Sequence, residues 1–154
     1  MNICDFMLQY SNYFNERLGI MVITKKLSCG ATVIMEKTDY VQSAALGIWI
    51  KAGAADEHDD VSGVSHYIEH MMFKGTKHRK AWHIINRMEA VGGDLNAYTN
   101  KEETVVYSAF MKEHFERATE LIFDIVFHST YPQHEIEKER EVIVDEIERY
   151  KSLG

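Results

Sequence analysis

Three side chains within five residues have the types and spacing to work on a water molecule activated by a metal: His66, Glu69 and His70, in the order H-x-x-E-H. Residues four apart on a helix share a face one turn apart, so the two imidazoles can offer nitrogens to a single ion. Glu69, three residues beyond His66, points to the same side, where a carboxylate can take a proton from water polarised by that ion. The order inverts H-E-x-x-H, and both orders occur on zinc-binding helices. Two histidines leave such a site short, because catalytic zinc commonly takes three protein ligands and keeps one position open.

The acid-rich stretch from Gln133 to Tyr150 is the expected donor of the third ligand. Glu139 and Glu146 lie seven apart, on one line of a helix that runs between Val142 and Ile143, with Ile136, Val144 and Ile147 nearby. Two carboxylates on a largely apolar stripe are costly to bury unless they are paired or bound to a cation. The residues alone leave a plainer alternative open: solvated histidines on a surface helix and glutamates on an ordinary charged face.

The elements that must position these groups can be read from the pattern. Residues 1–20 show no clear periodicity and are taken as an N-terminal extension. The segments 21–27 and 31–37 flank the turn signal Ser28-Cys29-Gly30 and predict a hairpin. Gln42 to Lys51 predicts a more buried strand, followed by a small, acidic loop over 52–61. A helix is expected from about Ser62, capped by Ser62 or Ser65, with Val64, Ile68, Met71 and Met72 recurring at helix-like spacing. Lys80 to Val91 predicts a second helix stopped by Gly92-Gly93. Strands over 94–99 and 104–110, a helix over 112–127 and a long helix opened by Pro132 complete the order. Strands come first and then mix with helices, which predicts an α+β fold with an antiparallel or mixed sheet and helices on one face.

Composition excludes several classes. The chain has 154 residues, and 45% of them are hydrophobic, enough for one self-supporting core but not for two domains. Net charge is −7, which argues against nucleic acid as a partner, since phosphate needs clustered Lys and Arg. Cys4 and Cys29 make no disulfide framework or metal knuckle, as in a reducing compartment. The longest apolar run, Ala44 to Ile50, is too short to span a bilayer. The first residues lack the cationic start and apolar stretch of a leader. A cytoplasmic protein with no membrane partner is expected. His58, His78, His83, His114, His128 and His134 read as surface or packing histidines. Trp49, Trp82, Phe73 and Phe110 read as core, as do Met71, Met72 and Met88.

The stretch GVSHYIEHMMFKGTKHR, Gly63 to Arg79, resembles the zinc-binding segment of the pitrilysin/insulinase family of metallopeptidases. The likeness is to the branch of processing peptidases and their bacterial homologues. It continues through Gly92 to Thr99 and through Glu137 to Ile147, and covers about Val22 to Tyr150. The resemblance implies one Zn²⁺ held by His66, His70 and Glu146, with Glu69 as general base and Glu139 supporting the site. It also implies that Asn96 orients a zinc histidine, and that Ala97, Tyr98 and Thr99 lie along an extended peptide substrate bound as an added strand. The implied activity is that of a zinc endopeptidase acting on extended or unfolded peptides.

Family members normally pair two such units around a chamber. The resemblance therefore implies that 21–154 is a C-terminally incomplete N-terminal unit, completed by a second homologous unit or subunit. A bacterial, cytoplasmic host fits. Two other readings are carried forward. The first is a catalytically silent or fragmentary member acting as a scaffold or partner subunit. The second is an enzyme similar to S-ribosylhomocysteine lyase. That lyase takes its third ligand from a cysteine after the motif, whereas Cys4 and Cys29 precede it.

Overall fold

The structure is a computed structural model that describes residues 10–15 and 20–152. The chain divides into two compact units, residues 1–41 and 42–154. In the first, β1 (Tyr10–Asn15), β2 (Ile20–Lys26) and β3 (Thr32–Lys37) form an antiparallel sheet in the order β1-β2-β3. The expected hairpin is β2–β3, in register from Met21 opposite Lys37 to Lys26 opposite Thr32. Its turn is closed by a 3.0 Å bond from the Gly30 N–H to the Leu27 carbonyl, with Gly30 at φ +92°. β1 falls inside the segment read from sequence as an extension without elements. Residues 1–9 and 16–19 lie outside the described residues, and so does Cys4. Cys29 is an exposed free thiol.

The second unit runs through β4 (Ser43–Ile50), α1 (Val64–Met72), α2 (Ala81–Glu89), β5 (Asn96–Thr99), β6 (Thr104–Met111), α3 (Phe115–His128) and α4 (Gln133–Ser152). Its sheet has the order β4-β6-β5 and is antiparallel throughout. β6 is central because its alternating, β-branched sequence TVVYSAFM can bury side chains on both faces. Val106, Ser108 and Phe110 point to one side, opposite Ile48, Leu46 and Ala44 of β4. On that side α3 covers β6 and β4, and α2 packs on α3. Met72, Ile84, Met88, Val106, Phe110, Ala118, Leu121, Ile122 and Ile125 form the core. Each of the larger side chains, Ala118 aside, contributes about 1.5–3 kcal/mol of burial.

The turn after α2 needs glycine twice. Gly92 ends the helix in the left-handed conformation at φ +72°. A Cβ on Gly93 would sit 3.0 Å from the Met88 methyl and 3.1 Å from the Ala109 carbonyl. Met71, Met72, Met88 and Phe110 are core as expected, but Trp49 and Trp82 are 62% and 58% exposed. Trp49 stands on the other face of the sheet, where its ring shields Gly47.

The link between α1 and α2 is pinned by one buried carboxylate. Asp124 on α3 accepts from Thr76 Oγ1 at 2.7 Å and from Arg79 Nη1 at 2.5 Å, and pairs with His78 Nδ1 at 2.5 Å. Burial pushes the Asp124 carboxyl up, but the bonds from His78, Thr76 and Arg79 outweigh it and hold it at about 2, below the ordinary 3.8. Its contribution is therefore complete above pH 3.8 and is lost as pH falls toward about 2. Asp124→Asn is expected to cost about 2–4 kcal/mol in urea unfolding at neutral pH. The gap to wild type should narrow as pH falls below 3.8 and close near pH 2, and an equal loss at every pH would contradict this account.

Candidate metal centre

α1 begins without a side-chain cap of its own. Gly63 turns the chain into the helix at φ +91°, a conformation that only glycine adopts cheaply. Glu57 supplies the cap from a distance, accepting the Gly63 and Ser65 backbone N–H groups at 2.6 and 2.7 Å. Those bonds hold its carboxyl below the ordinary value. Neither Ser62 nor Ser65 caps the helix as the pattern suggested, because the glutamate from the preceding loop reaches the free donors first.

On the opposite side α1 packs against α4. Ile143 on α4 is buried, and the Tyr67 hydroxyl donates to the Ile136 carbonyl at the start of α4. The start of α4 is itself set by Pro132, whose carbonyl accepts the Glu135 and Ile136 N–H groups. Pro132 precedes the first turn rather than occupying it.

This packing brings the separated residues together. His66 Nε2 and His70 Nε2 lie 3.1 Å apart, with their rings edge-on at 85°. Glu146 Oε2 is 3.8 Å from the first nitrogen and 3.6 Å from the second. These three donor atoms all lie within 4.8 Å of one another, so one ion could reach all of them. Two imidazoles and one carboxylate are a donor set that suits zinc and leaves a position open.

The other nitrogen of His70 has its own partner. Nδ1 is 2.9 Å from Glu139 Oε1, and the second oxygen of Glu139 is 2.5 Å from Lys74 Nζ. Burial pushes the Glu139 carboxyl up, but Lys74 and His70 outweigh this and hold it below the ordinary value. Of the two glutamates expected on the apolar stripe, Glu139 is buried and Glu146 is half-exposed. Val142, Val144 and Ile147 remain largely exposed. Glu69 Oε2 is buried with no hydrogen-bond partner among the described residues, an acceptor held dry and available.

Asn96 accepts from the Ala97 N–H beside it, and no hydrogen bond joins it to His66 or His70 among the described residues. β5 is an edge strand, paired only with β6 among the described residues, and α1 packs beside it. Ala97 turns toward the core, while Tyr98 stands 40% exposed.

Sequence reasoning missed two features. Lys74 was not singled out, although it follows His70 by four residues. His78 and His128 were read separately, yet both nitrogens converge on Asp124. The i,i+4 spacing of Asp124 and His128 on α3 was the available signal.

Comparison with known proteins gives the class. A sequence model of the insulinase family, peptidase family M16, matches residues 32–153. A Bacillus subtilis protein named as an uncharacterized zinc protease, YmxG, is 37% identical over 129 residues, which is 82% of this chain and 32% of that one. The beta subunit of the Neurospora crassa mitochondrial-processing peptidase is 36% identical over 130 residues, 84% of this chain and 27% of its own. A crystal structure of pitrilysin superposes with a TM-score of 0.79 over 90% of this chain and 15% of that one, at 18% identity. The fold is thus that of a metallopeptidase class. The chain belongs to the insulinase family, peptidase family M16. It spans about a third or less of the length of the curated relatives it matches.

The α1–α4 contact can be probed apart from any metal. Tyr67→Phe removes the hydroxyl bond to the Ile136 carbonyl and is expected to cost about 0.5–1.5 kcal/mol in chemical denaturation. A neutral result would show that the hydroxyl does not tie the helices.

Proposed function

We propose that this chain is the metal-bearing part of a zinc-dependent endopeptidase. The observation that carries the reading is the convergence of His66, His70 and Glu146 from two helices far apart in sequence, with a dry, unpartnered Glu69 oxygen on the same helix. His66, His70 and Glu146 hold one Zn²⁺. Bound there, zinc supplies Lewis acidity toward a peptide carbonyl and makes water a better proton donor.

The rest is the work of the chain's own residues. Glu69 accepts the proton of the attacking water and returns it to the leaving amine. The carboxylate of Glu139 fixes the tautomer and direction of the His70 ring by accepting a hydrogen bond from its Nδ1–H, which leaves Nε2 free for the ion. Lys74 holds Glu139 on that side by occupying its second oxygen. The substrate is an extended or unfolded peptide that adds as a strand along Ala97, Tyr98 and Thr99, on the open edge of β5. A second homologous unit or subunit completes the surround, and catalysis depends on the positioning it supplies. A scaffold role is less well supported, since it has no use for an intact donor set with a free base. The expected compartment is the cytoplasm.

Two variants test the roles separately. Glu69→Gln should retain zinc while cleavage of an unstructured reporter peptide falls about 10²–10⁴-fold. Cleavage unaffected by that change would remove Glu69 as the base. Glu139→Gln should weaken zinc, measured by competition with a chelating dye, about 10–100-fold. Zinc retained at full affinity by a His66→Ala, His70→Ala variant would overturn the reading itself.

A further inference from the structure

A second group of metal-binding side chains stands away from α1. His78 lies in the loop between α1 and α2, while Asp124 and His128 are one turn apart on α3. Asp124 divides its two oxygens between different tasks. Oδ2 is held by Thr76 and Arg79, at 2.7 and 2.5 Å. Oδ1 faces two imidazoles, at 2.5 Å from His78 Nδ1 and 3.3 Å from His128 Nδ1.

A separation of about 3.3 Å is the edge expected between neighbouring tetrahedral ligands at bonds of about 2.0–2.1 Å. His128 Nδ1 is buried and, despite that 3.3 Å approach, makes no aligned hydrogen bond with any described residue. The two rings meet edge-on at 85° with centroids 5.1 Å apart, much as His66 and His70 do at 4.6 Å. All three donor atoms lie within 4.8 Å of one another.

We propose that His78, Asp124 and His128 form a second site for one divalent d-block cation of the imidazole-seeking kind, such as Zn²⁺, Ni²⁺ or Co²⁺. Two of the three protein donors are imidazoles, so the site rejects Mg²⁺ and Ca²⁺, which need oxygen. Thr76 and Arg79 orient the carboxylate, as outer partners do at metal sites. Arg79 also sets a limit. Its charge already balances Asp124, so a dication is repelled and the site is weaker than one with a free carboxylate. His78 is more than half exposed and can swing to widen the 2.5 Å approach. Occupation ties the loop over 76–79 to α3.

The site is tested without reference to catalysis, on the 154-residue chain carrying His66→Ala and His70→Ala, so that the α1 site does not contribute. Co²⁺ and Ni²⁺ are titrated by calorimetry and by Co²⁺ absorption. One saturable equivalent is expected, with Ni²⁺ tighter than Co²⁺ and no response to Mg²⁺. Adding His78→Gln and His128→Gln should lower the affinity at least tenfold, while the circular dichroism spectrum in chelator stays the same.

Should those variants fold poorly, the imidazole NMR signals of the parent report instead. Ni²⁺ should broaden His78 and His128 before His58 and His83. Absence of saturable binding, affinity unchanged by the two substitutions, or broadening that begins at His58 or His83 would overturn the proposal.

Discussion

A buried carboxylate cannot stand alone, and the chain satisfies that constraint at Glu139 in a way that orders the rest of the site. The residue is 6% exposed, and its two oxygens are taken by His70 on α1 and Lys74 just after that helix. α4 must therefore dock with Glu139 facing α1. Seven residues further, two turns and about 10 Å along the axis, the same face presents Glu146. One spacing on one helix thus places a carboxylate against each nitrogen of the same imidazole. Glu139 meets Nδ1 of His70, and Glu146 approaches Nε2. Ile143, between them in sequence, is buried.

The scaffold around this pair is built from non-local contacts. β4 pairs with β6 only after the chain has passed through α1, α2 and β5. α3 then covers both strands, while α1 packs against β5 and α4, both later in sequence. Asp124 performs for the loop after α1 what Glu139 performs for the histidine-bearing face of that helix. It is a buried acid whose donors come from a different element. Every side chain of the candidate metal centre belongs to the compact unit of residues 42–154.

Element order was largely legible. Turn chemistry at Ser28-Cys29-Gly30, the stop at Gly92-Gly93 and Pro132 before α4 are local signals, read correctly because the physics that produces them is local. The misreadings have the opposite character. Trp49 and Trp82 are apolar enough to suggest core, but strand and helix phase turned them outward. The cap of α1 was sought in the adjacent serines, whereas Glu57 reaches it across a loop. His78 and His128 were read singly because nothing in a linear chain joins a loop histidine to one 50 positions later.

The residue types and their intervals determined by themselves that α1 could offer two imidazoles and a base on one face, and that α4 could offer glutamates two turns apart. Helical periodicity is a property of the backbone and needs no tertiary contact to be counted. Only the tertiary structure decided the surroundings of the two acids. Glu139 is buried beside Lys74, so its charge is spent on His70 and on that ammonium. Glu146 sits half-exposed beside both Nε2 atoms, where a cation could be shared. Burial and partner geometry separate two residues that the sequence writes with the same letter.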